Sequence, residues 1–197
     1  TASGGVLRAV GAQASTFSKG VIQCDLSAAA EFAAGQVLHQ RDAERTQLRG
    51  HARGTALVIE HIGSTAIPGI PAKPILDLLA GRGPDRDVSA YVTAFGAAGY
   101  AYRGEHGIPG RDYFVLDDAA GRRTHHLHLV EEGGPLWRSH LTYRDFLRAQ
   151  PERAAEYAAL KQSLAERYPA NRDAYTDGKA AFIAAILRLA AGNPATG

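Results

Sequence analysis

The sequence has no methionine, one cysteine (Cys24), one tryptophan (Trp137) and no long apolar run. A single cysteine forbids an internal disulfide, and such sparing use fits a reducing, cytoplasmic setting. No stretch approaches the roughly 20 apolar residues needed to cross a bilayer, so a membrane protein is not expected. The opening TASGGVLRAVGAQAST carries one arginine and only short apolar pieces, too little for a secretory signal. Without an initiator methionine the start reads as trimmed or processed, and residues 1–19 are expected to form a flexible tail. Charge of one sign is also missing. The 22 basic and 20 acidic side chains leave a net +2, so no nucleic-acid surface is expected.

What is present suits one ordinary globular domain, expected over residues 20–192. The 197 residues are 45% apolar and 21% charged, enough to bury a core. Gly20–Cys24 reads as a short strand. Asp25 or Ser27 then caps a helix through SAAAEFAAGQVLHQRDAERTQL, ended by Gly50 and Gly54. Ala56–Ile62 is a strand closed by Gly63 and Ser64, and Ile75–Ala80 is a second. A helix through VSAYVTAFGAAG follows a cap at Asp85 or Asp87. Three strands come next, at Tyr100–Arg103, Asp112–Leu116 and Thr124–Val130, the last two joined by the turn sequence DDAAGR. From Pro135 the pattern is helical. Two helices open with proline, PLWRSHLTYRDFLRA and PERAAEYAALKQSLAERY, and a last one spans Arg172–Ala191. The class is α+β: a mixed sheet over about 56–130 with flanking helices, then a helical cluster over 135–191.

The chemistry concentrates between His61 and Asp77. A strand that ends in Gly63-Ser64-Thr65 offers backbone N–H groups and hydroxyls to a phosphate, although such turns are often purely structural. Asp77 lies 13 residues after Ser64, inside the apolar run ILDLLA, where a carboxylate needs a partner. If the two strands pair, Asp77 comes near the turn, and a divalent cation can bridge it to a triphosphate. A salt bridge to arginine would explain it equally. On the strand at 124–130, His126 and His128 share one face, while His125 and Leu127 share the other. Together with His61 and Asp77 they form a candidate ligand set for zinc or another transition ion. Lys73, Lys179, Arg138 and Arg144 are candidate phosphate ligands, against the simpler reading of solvated surfaces. Trp137 and Tyr143 read as packing residues.

The segment His61-Ile62-Gly63-Ser64-Thr65-Ala66-Ile67-Pro68-Gly69, followed by Lys73-Pro74-Ile75-Leu76-Asp77, resembles the GrpB family of nucleotidyltransferase-like proteins. The later THHLHL, Trp137-Arg138, Tyr143-Arg144-Asp145-Phe146-Leu147 and the Tyr175–Lys179 pair extend the resemblance over Val21–Leu187. A similar domain occurs behind dephospho-coenzyme A kinase in some bacteria. The family's usual Tyr-Asp-Pro-x-Trp-like opening is here Gln23-Cys24-Asp25-Leu26-Ser27-Ala28, which keeps only the aspartate.

The resemblance implies a nucleotidyltransferase fold and a site where ATP or another nucleoside triphosphate binds at Gly63, Ser64, Thr65 and Lys73. Arg138, Arg144 and Lys179 would assist. Asp77, Ser64 and Lys73 would be catalytic, with Mg²⁺ or Mn²⁺ held by Asp77 and histidine help from His61, His126 and His128. A nucleotidyl group would pass to a small-molecule acceptor. Nucleotidyltransferases usually carry a second carboxylate two residues after the first, and that position is Leu79. Two alternatives therefore stay open: a degenerate module that binds a nucleotide or phosphometabolite without turnover, and a histidine-rich metal enzyme using the same pocket.

Overall fold

The computed structural model describes residues 57–84 and 87–192. The expected N-terminal tail, the strand at 20–24 and the helix after it lie outside these residues. Five strands form one mixed sheet: β1 (Val58–Ile62), β2 (Leu76–Arg82), β3 (Ala101–Tyr102), β4 (Asp112–Asp117) and β5 (Arg123–Glu131). Their spatial order is β1-β2-β5-β4-β3. β2 and β5 run parallel and every other neighbouring pair is antiparallel. The helices are α1 (Ser89–Ala97), α2 (Pro135–Ala149), α3 (Pro151–Arg167), α4 (Arg172–Asp177) and α5 (Ala180–Gly192). None is long and apolar enough to cross a membrane.

The strands follow from alternation. Along β2, Leu76, Leu78 and Ala80 join Ile59, Phe114, Leu127 and Leu129 beneath Tyr91 and Phe95 of α1. Fully burying a side chain of this kind contributes about 1.5–3 kcal/mol, so this face is the main core. The opposite face is mixed. At one end Ile62, Leu79 and Val130 pack on Trp137 of α2. A third cluster, including Ile67, Ile70, Leu147, Tyr157 and Ile186, ties the loop after β1 to the helices.

Local signals set the boundaries. Pro135 and Pro151 stand in the first turns of α2 and α3, where a missing N–H costs no hydrogen bond. Asp118 closes the β4–β5 hairpin by accepting from the N–H groups of Ala120 and Arg122, both at 2.9 Å. The last helix is not continuous as expected. Asn171 caps α4 by accepting from the Ala174 N–H at 3.0 Å, and the helix breaks around Gly178. A Cβ on residue 178 would come within 2.4 Å of a Leu164 methyl, so glycine permits the approach to α3. Lys179 sits at this break.

Candidate functional site

Register decides which side chains meet. Asp77 pairs with Ile62 on one side and His126 on the other. Leu79 pairs with Glu60 and His128, and His128 in turn pairs with Tyr113 of β4. Directly opposed residues share a face, so Asp77, His126, His128 and Tyr113 all project to the side away from α1. The sheet thus brings together residues drawn from three strands.

Within this group Asp77 and His126 form a pair. Asp77 Oδ1 accepts from His126 Nδ1 at 2.9 Å, which leaves His126 Nε2 as the ring's other functional atom. That nitrogen has no hydrogen-bond partner among the described residues. The backbone of Gly63 closes on the other carboxylate oxygen. A carboxylate that fixes an imidazole through one nitrogen sets its tautomer and directs the other nitrogen outward.

Cations converge on this carboxylate from the helices. Lys161 of α3 donates to the Pro71 carbonyl at 2.7 Å and lies 5.4 Å from the Tyr157 ring centre. Burial, reinforced by the nearby Lys179 and opposed by Asp77, lowers its pKa to about 8. Lys179 lies 4.5 Å from the centre of the Tyr175 ring. Burial lowers its pKa too; Asp77 opposes the shift, while Arg172 and Lys73 add to it. The Tyr157 hydroxyl, whose pKa burial raises, is in hydrogen-bonding reach of Ser64. Lys161 and Lys179 both feel this one carboxylate, and Lys73 and Arg172 lie near enough to Lys179 to disfavour its charge. Such a surplus of positive charge suits a polyanionic ligand.

The structure brings Gly63, Ser64, Lys73, Asp77, His126, His128 and Lys179 to this region, but it separates other expected members. His61 pairs with Leu78 and so points to the opposite, core face. There its Nε2 donates to Thr65 Oγ1 at 2.9 Å, while Thr65 donates to the Ile75 carbonyl at 3.5 Å. His61 and Thr65 brace the turn. The four-ligand centre of His61, Asp77, His126 and His128 is therefore not assembled. Among the described residues no group of three or more His, Cys, Asp or Glu side chains stands ready to hold a metal ion.

Arg144 is likewise turned to protein groups and not to the Gly63 turn. It is buried and donates to Glu60 at 2.8 Å, to the His61 carbonyl at 3.0 Å and to both oxygens of Asp145 at 2.7 and 3.0 Å. Arg138 is exposed and bonds the Gly133 carbonyl. Leu79 is wholly buried beside Ile62, Val130 and Trp137, and Glu60, the acid nearest it in register, is taken by Arg144. Neither supplies a second free carboxylate.

Sequence reasoning passed over Lys161, Tyr157, Tyr113, Arg111, His140 and Arg172. Tyr157 and Lys161 stand four residues apart, hence on one helix face, and that spacing was the available signal.

A mixed sheet with a Gly-Ser turn beside an aspartate-bearing strand, flanked by helices and closed by a helical cluster, defines a nucleotidyltransferase-like fold. The chain belongs to the GrpB family: the profile described as GrpB protein matches residues 36–189. The crystal structure of conserved protein GrpB from Enterococcus faecalis superposes with a TM-score of 0.69 at 35% identity, covering 78% of this chain and 92% of that one. Glutamate-rich protein GrpB of Alkalihalophilus pseudofirmus is 40% identical over 132 residues, 66% of this chain and 76% of that protein. UPF0157 protein YqkA of Bacillus subtilis is 42% identical over 142 residues, 72% of this chain but 41% of that protein. The chain also spans 60% of a 40% identical Pseudomonas aeruginosa relative. A dephospho-CoA kinase of Mycolicibacterium paratuberculosis is 31% identical over 144 residues, 61% of this chain and 35% of the kinase.

Proposed function

We propose that this face binds a nucleoside triphosphate and passes its nucleotidyl group to a small-molecule acceptor. The observation that carries the reading is a pair of half-buried ammonium groups, Lys161 and Lys179, each close enough to the other or to Asp77 to feel its charge. Holding such charges out of water is costly without a counter-anion, and a triphosphate supplies one. Lys73 and Ser64 lie at the same end and would hold the phosphates nearest the Gly63 turn. Mg²⁺ or Mn²⁺ enters this reading as the triphosphate's own counter-ion, carried by its phosphates.

Asp77 then serves by orienting His126. In the transfer step the acceptor's hydroxyl proton passes to His126 Nε2 as its oxygen bonds the α-phosphorus, and the bond to pyrophosphate breaks. Positioning and charge neutralisation supply the acceleration.

The buried Leu79 favours a second reading, a nucleotide- or phosphometabolite-binding module without turnover. Calorimetric titration with ATP and other triphosphates, with and without Mn²⁺, tests the binding common to both. Lys161→Gln combined with Lys179→Gln is expected to weaken it by about tenfold or more, the size of one or two lost charge-assisted hydrogen bonds. Pyrophosphate release across a panel of hydroxyl acceptors separates the two. A protein that binds no triphosphate refutes the transferase reading and leaves of the second only the binding of a phosphometabolite.

A further inference from the structure

Farther along the same sheet face stands a positive charge that no carboxylate among the described residues neutralises. Arg111, just before β4, is only 7% exposed. Its Nε donates to the Glu105 carbonyl at 3.4 Å, and its Nη2 donates to the Glu105 and His106 carbonyls at 3.2 and 2.8 Å. The guanidinium lies 5.0 Å from the centre of the Tyr113 ring. These contacts satisfy N–H groups but do not neutralise the charge, and among the described residues no carboxylate pairs with it. The acids on its own segment are engaged elsewhere: Glu105 Oε1 accepts from the Gly110 N–H, and Asp112 Oδ1 accepts from the Tyr102 hydroxyl. A buried cation without a counter-ion costs several kcal/mol, roughly the penalty for breaking a buried ion pair.

A second observation points to the same place. His128 Nδ1 is out of contact with solvent and has no hydrogen-bond partner among the described residues. The His128 ring lies 5.3 Å from that of Tyr113 and 5.7 Å from that of His140 on α2. Burial drives the pKa values of both histidines down, and Arg111 pushes each further in that direction. His140 and His126 add to the shift of His128, whereas Asp77 alone opposes that of His140. Three groups able to carry positive charge thus crowd around an unpartnered nitrogen.

We infer that Arg111, His128 and His140 form an oxyanion subsite, distinct from the lysine cluster, that takes a carboxylate or phosphate group of the acceptor. Its assignment to the acceptor rests on the transferase reading; anion binding itself does not. His126 and His128 alternate along β5 on one face, about 7 Å apart from the strand rise. An acceptor anchored by its anion at Arg111 and His128 presents a hydroxyl one or two carbons away to His126. The acceptor class is then a small hydroxy acid or phosphorylated alcohol.

The test is titration of the protein with inorganic phosphate and, separately, with malonate, followed by calorimetry and by the rise in melting temperature. The expected result is that the wild type binds at least one of the two anions, and their relative affinity tells phosphate from carboxylate. Arg111→Gln, His128→Gln and His140→Gln should each weaken that binding by about tenfold, while metal-free ATP binding stays within about twofold. The Lys161→Gln, Lys179→Gln double variant should do the reverse. If Arg111→Gln does not fold, the two histidine variants decide. Binding of neither anion to the wild type, or a loss that follows the lysines instead, overturns the subsite. Failure to bind ATP together with anion binding that depends on Arg111 refutes the triphosphate reading and leaves the subsite standing.

Discussion

A Cβ added to Gly63 would stand 2.2 Å from Asp77 Oδ2, and Gly63 itself holds a φ of +71°. Any side chain there must displace the carboxylate and also accept a left-handed backbone. Gly63→Ala should therefore cost about 2–3 kcal/mol, move Asp77 away from His126 and weaken triphosphate binding. Gly69 has a similar φ of +76° but no neighbour within 4 Å, so Gly69→Ala should lose only the backbone share, about 1 kcal/mol. Denaturant midpoints of the two variants separate these contributions. Equal midpoints would show that the approach to Asp77 is unimportant.

Lys161 sets a pH dependence. Its pKa in the folded chain is about 8 against an ordinary 10.5, so between these values the unfolded chain holds a proton that the folded chain lacks. Ligand-free stability should rise with pH through that window, and the penalty is fully present below it. A triphosphate at the site restores the proton, so metal-free ATP affinity should be highest below about pH 8 and fall above it. Both trends should shrink in Lys161→Gln when urea unfolding and metal-free ATP titrations are run from about pH 7 to about pH 10. Superimposable profiles for variant and wild type would remove Lys161 from the site.

Asp77 and His126 should separate binding from turnover. Asp77→Asn removes the one negative charge among the lysines, so metal-free pyrophosphate should bind several-fold tighter. The same change leaves His126 without its orienting carboxylate, and nucleotidyl transfer should fall by about 10² or more. His126→Gln should lose transfer with binding nearly intact. If Asp77→Asn binds pyrophosphate more weakly, the charge balance described for the pocket is wrong.

Arg144 and Arg138 make a contrasting pair. Arg144 ties Glu60, Asp145 and the His61 carbonyl together in a buried position, so Arg144→Ala should cost about 3–5 kcal/mol by stranding Glu60. Arg138 is exposed, and Arg138→Ala should stay within about 0.5 kcal/mol of wild type. Chemical denaturation reads both. A stable Arg144→Ala protein with lost triphosphate affinity would return Arg144 to the ligand set.

The elements described here were largely legible because their signals are local. Pro135 and Pro151 mark helix starts, Gly63-Ser64 ends a strand, and Asp118 with Gly121 makes a hairpin. The pairing of Asp77 with His126 was foreseeable only on the condition that β5 lies beside β2. His61 shows what alternation cannot decide. Its placement depends on whether residue 61 or residue 62 stands opposite Asp77, and a shift of one residue exchanges the faces. Arg144 resembled a surface cation because its partner Glu60 lies on β1, 84 residues earlier. Lys161 and Arg111 belong to no local motif. Their burial arises only when α3 and the segment before β4 settle against the sheet.

The bond between Asp77 and His126 joins residues 49 apart in the chain, across the parallel seam of β2 and β5. A parallel seam requires its whole crossover, so no excised hairpin or fragment can carry this pair. What evolution can copy, fuse or discard is the complete sheet with its helices. The unit of inheritance is set by the strand order, and it can be appended to a longer polypeptide only as one piece.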